Sequence, residues 1–200
     1  LWLFDFFNNN LIRDMTVQWK SLGALVGSWN MLIYGIFYFM MEKITGNTTY
    51  SHSRTAFFLY FIGLSNMLLG WSHHTYHIPH ALWLKQLTLF VNLLELIILA
   101  KVFYDLLKSV GKAEILSKYA SVMFLAGAEI WIFLNLVLAI IMSVPVWNSY
   151  IHGTYIVTAH AMGSTIGINS FILLAGVFFV LENKNAFLHN KLLKNSFILL

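Results

Sequence analysis

Residues 119–144 read YASVMFLAGAEIWIFLNLVLAIIMSV, an apolar run whose single Asp, Glu, Lys or Arg residue is Glu129. A helix needs about 20 apolar residues to cross a bilayer core of roughly 30 Å, so this run predicts a membrane-spanning helix. Four further runs of similar length and composition occur along the chain. The five predicted spans are residues 22–41, 56–73, 81–107, 119–144 and 150–181.

The composition of the whole chain agrees with this interpretation. Hydrophobic residues make up 59% and charged residues 10% of its 200 residues, whereas soluble proteins have roughly 45–50% and about 25%. A water-soluble fold of this size could not bury so much apolar surface, so the composition excludes a cytosolic globular domain, a disordered chain and a nucleic-acid-binding module. We therefore expect an all-α, polytopic transmembrane helix bundle, a single membrane domain in contact with the lipid bilayer.

Basic residues in the loops predict the orientation of this bundle. The segments that follow the first, third and fifth spans carry eight Lys or Arg residues, whereas the loops around 75–80 and 145–149 carry none. Basic loops stay on the cytoplasmic side. We expect a multi-pass protein of the cell (inner) membrane, with the histidine-rich turn 73–80 facing outward. The eight residues are Lys43, Arg54, Lys108, Lys112, Lys118, Lys184, Lys191 and Lys194.

Histidines carry most of the metal-binding capacity, because the chain has no cysteine. Imidazole suits iron, copper and zinc. His73 and His74 lie at the outer end of the second span, and adjacent side chains point about 100° apart on a helix. Both can bind one metal only if that helix end is distorted or the metal lies between helices. The alternative interpretation is that both histidines are simply solvated at the membrane surface. His160, about ten residues into the fifth span, is either a buried neutral histidine bonded to Thr or backbone, or an axial haem ligand.

Charged residues within the spans are unusual, because placing an isolated charge in the membrane costs a free energy of at least roughly 2.5–3.5 kcal/mol. Glu95 and Glu129 are each interpreted either as part of a proton relay or as a neutral acid bonded to a neighbouring helix. Lys101 and Asp105 lie one helical turn apart near the inner face and predict an ion pair. Three asparagines within the spans are expected to join helices by hydrogen bonds: Asn30, Asn92 and Asn135.

Two segments, GWSHH at 70–74 and HGTYIVTAH at 152–160, together resemble motifs of the haem–copper oxidase superfamily. The chain is most similar to the catalytic subunit of nitric oxide reductases, and the likeness runs from about residue 8 to 182. It would cover the sixth to tenth helices of the subunit I fold. The chain begins with Leu1 rather than Met and stops within an apolar run, which suggests a piece of a longer or split polypeptide. Its partners would then include the remaining helices of the same catalytic subunit.

The resemblance implies a role for each functional side chain. His160 would be the axial ligand of a high-spin haem b, and His73 and His74 would bind a non-haem iron beside it. Glu95 falls where these reductases carry a glutamate linked to proton delivery. The implied activity is the reduction of nitric oxide to nitrous oxide, with electrons from quinol or cytochrome c.

Two departures from the family pattern leave alternatives open. The span 22–41 has neither the histidine nor the carboxylate that the family places there, and Asn30 is its only strong polar candidate for the metal. Met162 stands where the family has a second histidine, and a methionine can also ligate haem. The altered iron site also resembles that of nitric oxide dismutase-like proteins, which give dinitrogen and dioxygen. A non-catalytic membrane subunit with a decayed metal site is the third interpretation.

Overall fold

A computed structural model describes residues 11–46, 48–79, 81–110 and 119–184. Within these ranges the chain forms helices and turns and no strand. Five of the described helices are long and apolar enough to cross a membrane, so the predicted all-α membrane bundle is confirmed. These helices are Met15–Ile44, Arg54–Thr75, Leu82–Asp105, Ala120–Ser143 and Tyr155–Glu182.

Several membrane helices combine more than one kind of helical turn. The α-helices are α1 Leu11–Gln18, α2 Gly27–Thr45, α3 Arg54–Leu69, α4 Leu82–Val110, α5 Ala120–Ser143, α6 Pro145–Ile151, α7 Tyr155–Met162 and α8 Phe171–Lys184. Two π-helical segments, Trp19–Val26 and Gly163–Ser170, connect α1 to α2 and α7 to α8 without a break. Two 3₁₀ segments, Tyr50–His52 and Gly70–Thr75, precede and follow α3.

Some of the residues that support the sequence predictions lie outside the described ranges. The resemblance begins at residues 8–10, and the orientation rests partly on the loop around 112–118 and on the segment after the fifth span. The residues concerned are 8–10, Lys112, Lys118, Lys191 and Lys194.

Polar and proline residues mark where the helices begin. The Ser53 Oγ accepts a hydrogen bond from the Ala56 N–H at 3.2 Å and caps α3. The Thr154 Oγ1 accepts from the Ile156 N–H at 3.3 Å and caps α7 in the same way. Pro145 opens α6, where a missing N–H costs nothing. These caps fix the points at which the chain enters each helix and thereby the depth of the side chains that follow.

Helix α5 forms the centre of the bundle. It packs against α4, α8 and the π-helical segment Gly163–Ser170, and half of its most apolar window is buried inside the protein. Its inward side chains Leu125 and Ala128 are fully buried and belong to the same apolar core as Ile172 of α8. Large apolar side chains cover the outside of the bundle, as expected for a surface in contact with lipid: Phe57, Phe58, Phe61, Trp83, Ile97 and Tyr104 are all exposed.

The predicted ion pair between Lys101 and Asp105 is present. The Lys101 Nζ lies 2.7 Å from the Asp105 Oδ1. The Tyr50 hydroxyl donates to the other carboxylate oxygen at 3.3 Å. Burial raises the pKa of Tyr50, and the negative charge of Asp105 raises it further, so this phenol remains a neutral donor. The hydrogen bond from Tyr50 anchors the C-terminal end of α4 to the 3₁₀ segment that precedes α3.

Candidate metal centre

Three histidines from separate parts of the chain converge at one end of the bundle. One ligand nitrogen each of His73, His74 and His160 lies within 4.8 Å of the other two. The ring centroids of His73 and His74 are 4.3 Å apart, and that of His160 is 5.4 Å from each. Nitrogens bound to one tetrahedral ion at about 2.05 Å lie about 3.4 Å apart. Small side-chain movements therefore suffice for all three imidazoles to bind the same ion.

The adjacent pair meets because the helix end is distorted. His73 and His74 lie in the 3₁₀ segment Gly70–Thr75, which replaces regular α-helical turns at the end of α3. The Ser72 hydroxyl hydrogen-bonds Thr88 of α4. The Asn148 Nδ2 of α6 donates to the His73 carbonyl at 2.8 Å. The segment is thus fixed on two sides by neighbouring helices, and its two imidazoles lie side by side.

His73 has the environment of a metal ligand. Its side chain is 4% exposed, and neither ring nitrogen has a hydrogen-bond partner among the described residues. A buried polar group without a partner costs about 1–3 kcal/mol. A neutral imidazole keeps one nitrogen lone pair for a ligand, so a bound metal would satisfy one of the two nitrogens.

His160 is oriented by the backbone of α5. Its Nδ1 lies 3.2 Å from the Asn135 carbonyl oxygen. A carbonyl only accepts, so Nδ1 donates the proton and Nε2 keeps its lone pair, which is the usual arrangement in metal-bound histidines. The close approach depends on Gly163, where a Cβ atom would lie 2.6 Å from the Asn135 Oδ1. The glycine therefore allows the helix that carries His160 to approach α5.

A cavity of about 170 Å³ connects the histidines with other polar side chains. Asn30, the candidate ligand from the span 22–41, lines this cavity together with all three histidines. Met162 is 47% exposed and is not among the lining residues. The structure thus brings Asn30 to the site and places Met162 on the bundle surface.

Glu95 lines the same cavity and is 5% exposed. The Tyr34 hydroxyl donates to its Oε1 at 3.1 Å, and the Asn66 Nδ2 donates to its Oε2. Sequence analysis did not identify these two partners, although an amide within a membrane span was an available signal for Asn66. Glu129 is buried as well, with one oxygen unpartnered among the described residues, but it does not line the cavity. Of the two carboxyl groups, only Glu95 therefore lines the cavity that the histidines share.

A second pair of histidines lies outside the membrane spans. The rings of His77 and His152 are 4.4 Å apart. His77 is exposed, whereas the Nδ1 of His152 is buried without a partner in the described part of the chain. Burial lowers the pKa of His152, and the charge of His77 lowers it further. The ring of His152 consequently favours the neutral form at physiological pH.

The spacing of the three histidines tests whether a haem fits between His160 and the pair. Paired metals lie about 3.5–4 Å apart, and each metal–nitrogen bond is about 2 Å long. A histidine nitrogen on one metal therefore lies about 8 Å from a histidine nitrogen on the far side of the other metal. The nitrogens here lie within 4.8 Å. The cavity of about 170 Å³ is also smaller than the roughly 300–1,000 Å³ of pockets that hold ligands of drug size. The three rings thus lie about 3 Å closer together than a haem between them would require, whereas His160 keeps the Nε2 lone pair that a haem ligand needs.

The family described as Cytochrome C and Quinol oxidase polypeptide I matches residues 2–200. No solved structure matches the chain.

Proposed function

The chain belongs to the cytochrome c and quinol oxidase polypeptide I family, and we propose that within it the chain serves the reduction of nitric oxide to nitrous oxide at a histidine-bound metal. The family comprises the haem–copper oxidase subunit I proteins, which are membrane oxidoreductases that bind haem and a metal. The match supports the superfamily that the two histidine motifs indicate. Nitric oxide as the substrate is our proposal and goes beyond the family match.

The arrangement of one cavity carries this proposal. Buried, unpartnered His73, its neighbour His74 and the oriented His160 line a space that is also lined by Glu95. Two nitric oxide molecules, two electrons and two protons give one nitrous oxide and one water. A cavity of about 170 Å³ is small enough to hold two diatomic molecules close together, which makes their encounter effectively intramolecular.

Glu95 supplies protons in this proposal, and Tyr34 controls their position. Both carboxyl oxygens accept hydrogen bonds, Oε1 from the Tyr34 hydroxyl and Oε2 from the Asn66 amide. A phenol can accept as well as donate, so the Tyr34 hydroxyl can rotate when Oε1 takes up a proton. The protonated carboxyl group of Glu95 lines the cavity and can release its proton there.

The cofactors follow from the resemblance and from the donor atoms. An iron on His73 and His74 would supply electrons to bound nitric oxide. The resemblance implies that His160 is the axial ligand of haem b. With the spacing described, His160 and the histidine pair would have to separate by about 3 Å more to accommodate that haem. Electrons would come from quinol or cytochrome c.

A second candidate function is nitric oxide dismutation. It is favoured by Asn30, which lines the cavity from the helix in which the family carries a histidine and a carboxylate. Dismutation converts two nitric oxide molecules into dinitrogen and dioxygen and needs no electrons or protons from outside. Glu95 would then be structural, which separates the two candidates experimentally.

Product analysis tests the proposal. The purified membrane complex that contains this chain is reduced without oxygen, given ¹⁵N-labelled nitric oxide, and its headspace is analysed by mass spectrometry. We expect labelled nitrous oxide, and its loss in His73→Ala. Formation of labelled dinitrogen together with dioxygen would show that the reaction is dismutation and not reduction. No gas product from a metal-loaded complex would overturn both and favour a non-catalytic subunit.

A further inference from the structure

We propose that the groove between α2 and α3 binds one anionic phospholipid, with an acyl chain in the groove and the phosphate group at its basic end. The groove is a second cavity, of about 490 Å³, which extends to the 3₁₀ segment before α3. Both helices belong to predicted membrane spans. The inference concerns a partner from the bilayer and does not depend on nitric oxide as the substrate.

Apolar and aromatic side chains line most of the groove. Met31 of α2 and Leu59 of α3 are among them. At Gly35 nothing lies within 4 Å of an added Cβ atom, so the missing side chain keeps the groove open. Phe57 and Tyr60 also line the groove and are more than half exposed. Since exposed side chains on membrane helices face lipid, the groove opens toward the acyl chains of the bilayer.

The end of the groove near the loop between the two helices is polar and basic. Ser51, His52 and Ser53 line this end. Arg54 follows directly as the exposed first residue of α3, and Lys43 is exposed in the last turn of α2. Hydroxyl and imidazole groups can donate hydrogen bonds to phosphate oxygens, and a guanidinium group binds phosphate with charge-assisted hydrogen bonds.

The two acidic groups at this end are already engaged. The Glu42 Oε1 accepts a hydrogen bond from the Ser51 backbone N–H at 3.0 Å. Asp105, which reaches the loop through Tyr50, is paired with Lys101. The loop is predicted to face the cytoplasm, and basic pockets between membrane helices on that side bind anionic lipid headgroups. Charge therefore favours an anionic over a zwitterionic lipid.

The size of the groove favours an acyl chain over a neighbouring helix. A helix about 10 Å across fills about 420 Å³ in each turn of 5.4 Å, so a cavity of about 490 Å³ holds little more than one turn. An acyl chain is much thinner and can lie along the groove. The volume also falls within the roughly 300–1,000 Å³ of sites that hold small ligands.

The groove shares a wall with the cavity that the histidines line. Met31 and Tyr34 contribute to both cavities, and the Tyr34 hydroxyl donates to the Glu95 Oε1 at 3.1 Å. An acyl chain in the groove would therefore contact the residue that donates to Glu95. A bound lipid would restrict the movement of the Tyr34 ring and so reach the second cavity through one side chain.

Lipid titration tests the basic end of the groove. The purified complex that contains this chain is stripped of lipid in detergent, titrated with phosphatidylglycerol or phosphatidylcholine, and analysed by native mass spectrometry. We expect one site per chain that prefers phosphatidylglycerol by at least about fivefold, and loss of this preference in Arg54→Gln. Lys108→Gln, an exposed basic residue near the end of α4, is the matched control and should keep it. Equal affinity for the two lipids in the unaltered chain would overturn the inference.

A second variant tests the acyl chain. In Gly35→Phe the new ring occupies the open space, so we expect both lipids to bind at least about tenfold more weakly, whereas Gly35→Ala should bind them nearly as the unaltered chain does. Unchanged binding in Gly35→Phe would contradict the inference. Inorganic phosphate and glycerophosphoglycerol, which have no acyl chain, should not displace the lipid. Displacement by either at equal concentration would indicate a simple anion site and overturn the proposal.

Photo-crosslinking in the unaltered chain avoids dependence on the folding of a variant. Phosphatidylglycerol with a diazirine in one acyl chain is bound, irradiated, and its attachment sites are mapped by peptide mass spectrometry. Attachment within residues 31–38 or 56–60 supports the inference, and attachment only elsewhere overturns it. None of these measurements uses nitric oxide or a bound metal, so their failure and a failure to form nitrous oxide are distinguishable.

Discussion

Two carboxyl groups, Glu95 and Glu129, lie deep within membrane helices, and their neighbours decide what each can do. Glu95 accepts hydrogen bonds from Tyr34 and Asn66 and lines the histidine cavity. Glu129 is buried away from this cavity. The sequence alone could identify both as unusual because of the cost of burial. It could not separate them, because depth along a helix does not reveal which neighbouring helix a side chain faces.

Replacing Glu95 should stop proton delivery and leave the metal in place. Glutamine has nearly the same shape and keeps the partners Tyr34 and Asn66, but it has no carboxyl proton to exchange. We expect Glu95→Gln to lower nitric oxide turnover by about 100-fold, within the usual range for a proton-transfer group. Turnover is measured with a nitric oxide electrode and metal content by mass spectrometry. Glu129→Gln is the matched control, and equal losses in both variants would make Glu95 a structural residue.

The outer histidine pair makes a prediction about pH. Protonation of His77 disfavours protonation of His152, and burial acts in the same direction. We expect His77→Ala to raise the pKa of His152 toward the ordinary value of about 6.5 without reaching it, because burial remains. Histidine NMR titration of the labelled protein in detergent measures the shift. His52→Ala, in the loop before α3, should leave that pKa unchanged, and a decrease in His77→Ala would contradict the charge interaction.

At the scale of elements, hydropathy predicts which segments are helical but not the kind of turn. The span 56–73 ends in the 3₁₀ segment Gly70–Thr75, and the fifth span contains the π-helical segment Gly163–Ser170. Both changes involve one residue more or fewer in each hydrogen-bonded turn, which leaves the apolar composition unaltered. Yet these turns bring the histidine pair together and place His160 beside α5. From the sequence we can infer that the histidine pair needs a distorted helix end to bind one metal, but not that the distortion is present.

Gly163 tests how closely the site depends on this packing. In Gly163→Ala the new methyl group would lie 2.6 Å from the Asn135 Oδ1, so either the Asn135 side chain must rotate or α5 and the π-helical segment must move apart. We expect metal affinity to fall about tenfold and the free energy of unfolding to fall by about 1–3 kcal/mol, with helix content by circular dichroism unchanged. Gly35→Ala is the control, since nothing lies within 4 Å of its added Cβ. Similar affinity in the two variants would contradict the role given to Gly163.

At the scale of the whole molecule, composition predicts the architecture because the bilayer restricts the choice of fold. Each backbone polar group must be satisfied internally, so long apolar segments become helices. The exposed apolar side chains, among them Ile97 at 66% and Phe57 at 58%, then face lipid. The central position of α5 was not predictable, because hydropathy does not reveal which apolar span the others enclose. Its packing against α4, α8 and the π-helical segment Gly163–Ser170 shows that α5 is the enclosed helix.

The orientation of the bundle can be tested because the chain has no cysteine of its own. Single cysteines are introduced at the exposed positions His77 and Lys108 and treated with a membrane-impermeant maleimide. We expect His77→Cys to be labelled from the periplasmic side and Lys108→Cys only after the inner membrane is opened. Labelling in the opposite order would invert the predicted orientation and place the histidine centre near the cytoplasm.

The wide turns at Gly163–Ser170 set the rotational phase between the two halves of the last membrane helix. Loss of a single codon there would be absorbed by a return to ordinary turns, so the part of the helix that carries His160 would nearly keep its phase relative to α8. The same loss between His160 and Gly163, where the turns are already α-helical, would rotate His160 by about 100° away from its present direction, while insertion of the helix would be unaffected. The effect of an in-frame deletion thus depends on the kind of turn from which the residue is removed, although hydropathy profiles of the two variants would look almost the same.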